Sequence, residues 1–214
     1  MNVIKRIFPL VLLLSFALTS FAQDKAKNII AASQKKLESL SDFSAKITYG
    51  LENIKMPNPV VRKGEIKYKG GKFVILLADQ HIYCDGQKQW TYLPEDNEVS
   101  IVPYYPDEGF DIESIFKVYE ASAEPRYEGV ETANEIKCDK IFLAVKDPSL
   151  DYNRATLWVS QKDKFLVKAV LTDRKQTSTT YGFSDIKVNQ GLSTSNFQFD
   201  PSKHPGVVVY DETE

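Results

Sequence analysis

The chain has 214 residues, of which 43% are hydrophobic, 26% charged and 12% aromatic. Those proportions exclude a disordered or collagenous chain and a multi-span membrane protein, and the length suits one domain with a substantial core. Twenty-seven basic against 29 acidic residues leave a net charge of −2, the wrong sign for a protein that holds nucleic acid by neutralising phosphates, and two histidines and two cysteines supply little material for a metal centre.

The N-terminus has the make-up of a secretory signal. Lys5 and Arg6 precede an apolar run from Ile7 to Phe21, and Ser20-Phe21-Ala22 supplies the small residues of a cleavage site, so cleavage is expected after Ala22. The run is short and broken by Pro9, whereas a bilayer span needs about 20 apolar residues. Residues 1–22 therefore read as signal peptide and 23–214 as one exported domain, with Gln23 rather than a lipidatable Cys after the cut. Cys84 and Cys138 would then sit where disulfides form. Both lie in strand-like segments, and their spacing leaves open a bridge or two separate buried thiols.

Asp24 to Leu40 reads as a helix, with Ala26, Ile29, Ile30, Leu37 and Leu40 on one apolar stripe. From Phe43 the period changes to two, as Phe43, Ala45, Ile47, Tyr49 and Leu51 alternate with polar or small residues. Short strands follow at Lys63 to Lys69, Phe73 to Leu77, Ile82 to Cys84, Gln89 to Leu93 and Val99 to Val102, separated by turns such as Gly70-Gly71 and Asp85-Gly86. After a Pro- and Tyr-rich break, Asp111 can cap a short helix to about Ala121, in which Ile112, Ile115, Phe116 and Tyr119 form one narrow apolar face. Strands resume at Arg126 to Glu131, Lys137 to Val145, Ala155 to Ser160, Phe165 to Thr172 and Thr177 to Phe183, and the tail alternates Phe197 and Phe199 before Val207-Val208-Val209. Ten or so strands with few helices predict a mainly β protein built as a single highly curved antiparallel sheet or barrel, with an N-terminal helix and a short helical lid.

Motifs for chemistry are lacking. There is no G-x-S-x-G, H-E-x-x-H or G-x-G-x-x-G, the acids around Glu95 to Glu113 lack the ligand spacing of a calcium loop, and no cofactor is implied. His81 and His204 could each be a general base, but an exposed or edge histidine is the simpler reading of both. The chain does carry large apolar residues on alternating strand positions. Phe43, Ile47, Tyr49, Phe73, Ile75, Trp90, Tyr92 and Ile101 belong to the set expected to face inward, and periodicity alone favours a dry core over a hollow.

Asp85-Gly86-Gln87-Lys88-Gln89-Trp90-Thr91-Tyr92-Leu93-Pro94 resembles the D-G-x-x-x-W-x-Y-x-P segment of the outer-membrane lipoprotein carrier family, the LolA-like periplasmic chaperones. Gly64-Glu65-Ile66-Lys67-Tyr68 resembles that family's early strand, and Phe197-Gln198-Phe199-Asp200-Pro201 with Pro205-Gly206-Val207 its C-terminal element. The resemblance implies an unclosed β-barrel whose apolar concave face, covered by helices, takes the acyl chains of lipoproteins released by an inner-membrane ABC transporter and carries them to an outer-membrane acceptor. It implies a monomeric, non-catalytic carrier in the periplasm with no nucleic-acid partner; the alternative is a binding module or sensor that holds another lipid or glycolipid in the same half-barrel. One long acyl chain exposed to water costs on the order of 10 kcal/mol at about 0.8 kcal/mol per CH₂, so a soluble carrier must hide it. On this reading Trp90, Tyr92, Phe73, Phe43, Ile47, Tyr49, Ile75 and Ile101 line the wall, and Ile112, Ile115, Phe116 and Tyr119 form the lid face. The sequence departs from the family at Gly70-Gly71, where better-known members carry an Arg-Pro pair whose arginine ties the lid shut, and only Lys69 and Lys72 stand nearby.

Overall fold

Period-two alternation builds most of the molecule. The computed structural model describes residues 8–55, 58–105, 124–148 and 150–213. A helix, α1 (Phe8–Glu38), is followed by β1 (Phe43–Asn53), β2 (Val60–Lys69), β3 (Lys72–Leu77), β4 (His81–Cys84), β5 (Lys88–Leu93) and β6 (Glu98–Pro103). Then come β7 (Glu124–Ala133), β8 (Ile136–Ala144), β9 (Tyr152–Ser160), β10 (Leu166–Asp173), β11 (Thr177–Val188), two 3-10 turns (Thr194–Phe197 and Pro201–Lys203) and β12 (Val208–Asp211). The expected helix thus begins earlier in the chain than Asp24. No helix among the described residues is long and apolar enough to cross a membrane. The expected helix at Asp111 lies outside the described residues.

All twelve strands form one sheet in the order β12-β6-β5-β4-β3-β2-β1-β11-β10-β9-β8-β7. Pairing of β1 with β11 joins two meanders, and the terminal strands β12 and β7 do not pair, so the sheet is curved but unclosed. The hairpin between β2 and β3 turns on Gly70 and Gly71, both at positive φ (51° and 77°), which is the backbone a two-residue primed turn requires. One pairing departs from the expected antiparallel sheet. β12 runs parallel to β6, because the chain returns along the outer face before adding its last strand.

The register sorts side chains onto two faces. On the inner face Phe43 pairs across to Tyr68, Tyr68 to Phe73 and Phe73 to Cys84, while Ile66 meets Ile75 and Ile47 meets Phe183. These residues are buried in the main core with Ile141, Leu143, Leu157 and Ala169 from the other wing. Ala26, Ile29 and Ile30 of α1 complete it, the helix lying against β7 and β9. At about 25 cal/mol per Å² of apolar surface, each fully buried aliphatic or aromatic side chain contributes roughly 1.5–3 kcal/mol.

Two smaller clusters are separate from this core. Tyr92, Val99 and Phe199 pack with Tyr83, Trp90 and Val207, and Ala133, Cys138, Trp158 and Val167 pack with Ile136 and Val170. Cys84 belongs to the main core and Cys138 to one of the others, and both are buried.

Asp42 ties the start of β1 to the chain after β11. Its carboxylate accepts hydrogen bonds from the amides of Gln190 (2.6 Å) and Leu192 (3.0 Å). Burial opposes ionisation there, yet the amides of Gln190, Leu192 and Gly191 hold the carboxyl below its ordinary value.

Candidate functional site: the inner face of the sheet

Two rungs of the ladder cross the middle of the inner face. One runs Arg62, Tyr49, Tyr181, Ala169, Leu157, Ile141 and Tyr127, and the next runs Val60, Leu51, Thr179, Leu171, Ala155, Leu143 and Pro125. Strict alternation puts these residues on one face. Burial along the rungs is uneven. Ala169, Leu157, Ile141, Ala155 and Leu143 are buried, on the wing that α1 covers, whereas Tyr49, Leu51, Leu171 and Tyr181 on the central strands are half-buried.

This central stretch is apolar with a few polar tips. The rings of Tyr49 and Tyr181 lie 5.8 Å apart at 59°. Burial, with Tyr49 and Tyr152 nearby, pushes the Tyr181 phenol up to about 12, so it stays neutral at physiological pH. Burial raises Tyr152 as well, with Asp151 adding to the effect. Arg62 at the end of the rung pairs with Asp79 at 3.0 Å. Toward the β3 side, Phe73 meets Tyr104 edge-on at 5.6 Å, and Phe43 packs on Tyr68 at 5.4 Å and Phe165 at 5.3 Å. Dispersion and hydrophobic contact dominate such a surface, which suits hydrocarbon and offers no reactive group.

Of the expected wall, Phe43, Ile47, Tyr49, Phe73 and Ile75 share the inner face. Trp90, Tyr92 and Ile101 do not. Trp90 pairs with Tyr83 and Ile101, and Tyr92 with His81 and Val99, all on the outer face, while Ile82, Gln89, Thr91 and Ser100 occupy the inner face of that wing. The physical reason is that the C-terminal segment lays Phe199 and His204 against the outer side of β4 and β5, so the apolar face of this wing is buried there and the polar Gln89, Thr91 and Ser100 face inward. Alternation says which residues share a face, not on which side of the sheet that face lies. Ile112, Ile115, Phe116 and Tyr119 lie outside the described residues. Leu51, Leu171 and Tyr181 complete the half-buried stretch, and period two on β1, β10 and β11 was the signal for them.

The motif residues prove to be structural. Asp85 accepts from the amides of Gln87 and Lys88, both at 2.9 Å, closing the turn into β5, and Gln198 of the C-terminal segment donates to it at 3.1 Å. Burial works against ionisation of Asp85, but those hydrogen bonds and Lys72 keep its carboxyl below the usual value. Gly86 follows at φ 90°. Trp90, Tyr92 and Phe199 then meet in one outer cluster, so the D-G-x-x-x-W-x-Y and F-x-F motifs fasten two distant parts of the chain together. Where the family arginine would stand, Lys69 Nζ donates to the Leu192 carbonyl and Lys72 Nζ to the Asp85 carbonyl, both at 2.5 Å.

His81 lies on β4, inside the sheet rather than at its edge, and is half-buried, as is His204. Among the described residues no group of three or more His, Cys, Asp or Glu is placed to hold a metal ion.

Residues 77–200 match the family model described as "Outer membrane lipoprotein carrier protein LolA". No curated protein matches in sequence. Among solved structures the chain is similar to an uncharacterized conserved protein from Thermus thermophilus, at 13% identity over 88% of this chain and 99% of that one, with a TM-score of 0.57. It is also similar to MucB (14% identity, 83% of this chain and 63% of that one, TM-score 0.53) and to LprF from Mycobacterium bovis (12%, 80% and 96%, 0.50). At such identities the likeness is one of fold. The family match spans more than half of the chain, from β3 to the second 3-10 turn, and the chain belongs to the LolA outer membrane lipoprotein carrier family.

Proposed function

We propose that this protein is a periplasmic carrier that binds the acyl chains of lipoproteins against the inner face of its sheet and moves them from the inner to the outer membrane. Family membership carries the reading, and the half-buried apolar stretch of Tyr49, Leu51, Leu171 and Tyr181 supports it. In this reading residues 1–22 are a signal peptide removed on export, and residues 23–214 form a monomeric, non-catalytic carrier domain. An inner-membrane ABC transporter loads it, and an outer-membrane acceptor unloads it.

The contact suits both tasks. Apolar burial is strong in sum but has no preferred direction, so a chain can be held and then slid out without breaking a fixed set of hydrogen bonds. The neutral Tyr181 hydroxyl can face a glyceryl ester while its ring stays against hydrocarbon.

Native mass spectrometry of protein purified gently from the periplasm tests the reading. Recovery of complexes with acylated lipoproteins is the expected result. Protein that is free of lipid and lipoprotein, and that fails to accept a diacylated lipopeptide in vitro, would overturn it. Recovery with free lipid alone would move the assignment to a different amphiphile.

A further inference from the structure

The two histidines of the chain meet around one tyrosine on the outer face, remote from the inner-face stretch. The ring of His204 lies 4.4 Å from that of Tyr92 and stacks on Phe199 at 4.7 Å and 18°. His81, on the strand beside Tyr92, lies 5.7 Å from the same ring, and Phe199 packs on Tyr92 at 5.2 Å and Tyr83 at 5.8 Å. His81 Nδ1 is buried with no hydrogen-bond partner.

This cluster fastens the C-terminal segment together with the fully buried Phe197 and the hydrogen bond from Gln198 to Asp85. Tyr92 Oη donates to Asn97 Oδ1 (3.1 Å), Asn97 Nδ2 donates to the Pro205 carbonyl (3.2 Å), and β12 adds four exposed residues in parallel to β6. We propose that His81, meeting Tyr92 beside His204 and Phe199, is the acid-sensitive part of a clasp that holds the segment from Phe197 to Asp211 on the outer face at neutral pH and loosens it when His81 is protonated.

The surroundings set the sign. Facing the pair are Tyr92 from β5, Tyr83 from β4, apolar Leu76 from β3, Asn97 from the turn before β6, and Phe199, Asp200 and Lys203 from the segment itself. The nearby carboxylates are engaged elsewhere, Asp79 with Arg62 (3.0 Å), Asp200 with Ser202 (3.1 Å) and Lys203 (3.3 Å), and Glu98 with Tyr210 (3.4 Å). Among the described residues neither imidazole has a carboxylate partner to welcome its proton. Protonating His81 would strand a cation against apolar rings, and its basicity is lowered by burial first and by His204 second.

A histidine whose folded value is depressed binds fewer protons folded than unfolded. Docking is therefore complete above the ordinary value of about 6.5 and weakens as pH falls from there through the folded value. Cation–π attraction of a protonated His204 to Phe199 and Tyr92 acts in the opposite sense, which makes the direction a real test. Loosening would uncover Tyr83, Trp90 and Val99 and free one edge of β6, a strand-pairing surface. The clasp does not depend on the acyl-chain reading.

Hydrogen exchange read by mass spectrometry, corrected for intrinsic rates, tests it on the full mature chain at pH 7.5 and pH 5. The amides of Phe197 to Asp211 are expected to lose protection severalfold more than those of β1 and β11. A His81→Asn, His204→Phe variant, which keeps the stacking but cannot titrate, should lose that excess. An equal acid response in the variant, or tighter docking in acid, would overturn the proposal. Imidazole titration by NMR in the unsubstituted protein is a check independent of the variant, since a value for His81 at or above the ordinary histidine value would also overturn it.

Discussion

Asp42 and Gly64 show how single positions hold the two wings in place. The Asp42 carboxylate satisfies successive amides after β11, a task no neutral side chain of its size performs as well. Its lowered carboxyl value means that its contribution is fully present above the ordinary carboxylate range and is lost as pH falls through the folded value. Asp42→Asn should therefore flatten the acid limb of a stability-versus-pH curve followed by circular dichroism; an unchanged limb would count against the assigned role. Gly64 faces a different constraint. A Cβ there would lie 1.9 Å from the Leu76 carbonyl oxygen, so Gly64→Ala must push β2 and β3 apart. A loss of about 1–3 kcal/mol is expected in chemical denaturation, the usual cost of overpacking.

The elements differ in how their faces are buried, and substitutions on neighbouring strands should separate accordingly. Leu171 on β10 is half-buried on the inner face, and Trp90 on β5 packs on the outer one. Leu171→Asp should weaken binding of a fluorescent acyl probe by tenfold or more, from roughly 1.5–3 kcal/mol of lost apolar contact, with little change in the fold. Trp90→Ala should instead leave probe affinity within about threefold while lowering stability on the order of 2 kcal/mol, through lost packing with Tyr83 and its neighbours. The reverse pattern would place the binding surface on the other face. The C-terminal element can be tested by deletion. Removing residues 194–214 should increase binding of a hydrophobic dye by exposing the Tyr83, Trp90 and Tyr92 patch.

At the scale of the whole molecule, strand positions were legible because residues such as Phe43, Ile47 and Tyr49 keep a strict period of two, and glycine and proline punctuate the turns. The helix stripe of Ala26, Ile29 and Ile30 was legible for the same reason, with a period of 3.6. The family motifs were equally visible, yet Trp90, Tyr92 and Phe199 of two of them fasten the C-terminal segment to β5, and only Ile66 and Tyr68 of the early-strand motif face inward in the main core. Placing Trp90, Tyr92 and Ile101 inside followed from taking the larger side chains of an alternating strand as inward. That rule fails on a wing whose apolar face packs against the returning C-terminal segment.

Local chemistry thus dictated which segments are strands, where they turn and which residues share a face, because those properties depend on neighbours a few positions apart. Long-range contact decided which face meets what. The return of Phe199 and His204 across β4 and β5, the parallel addition of β12 to β6, and the separation of Cys84 from Cys138 into different clusters join residues far apart along the chain. No periodicity encodes such distances, since it is the packing free energy of the assembled sheet that selects them.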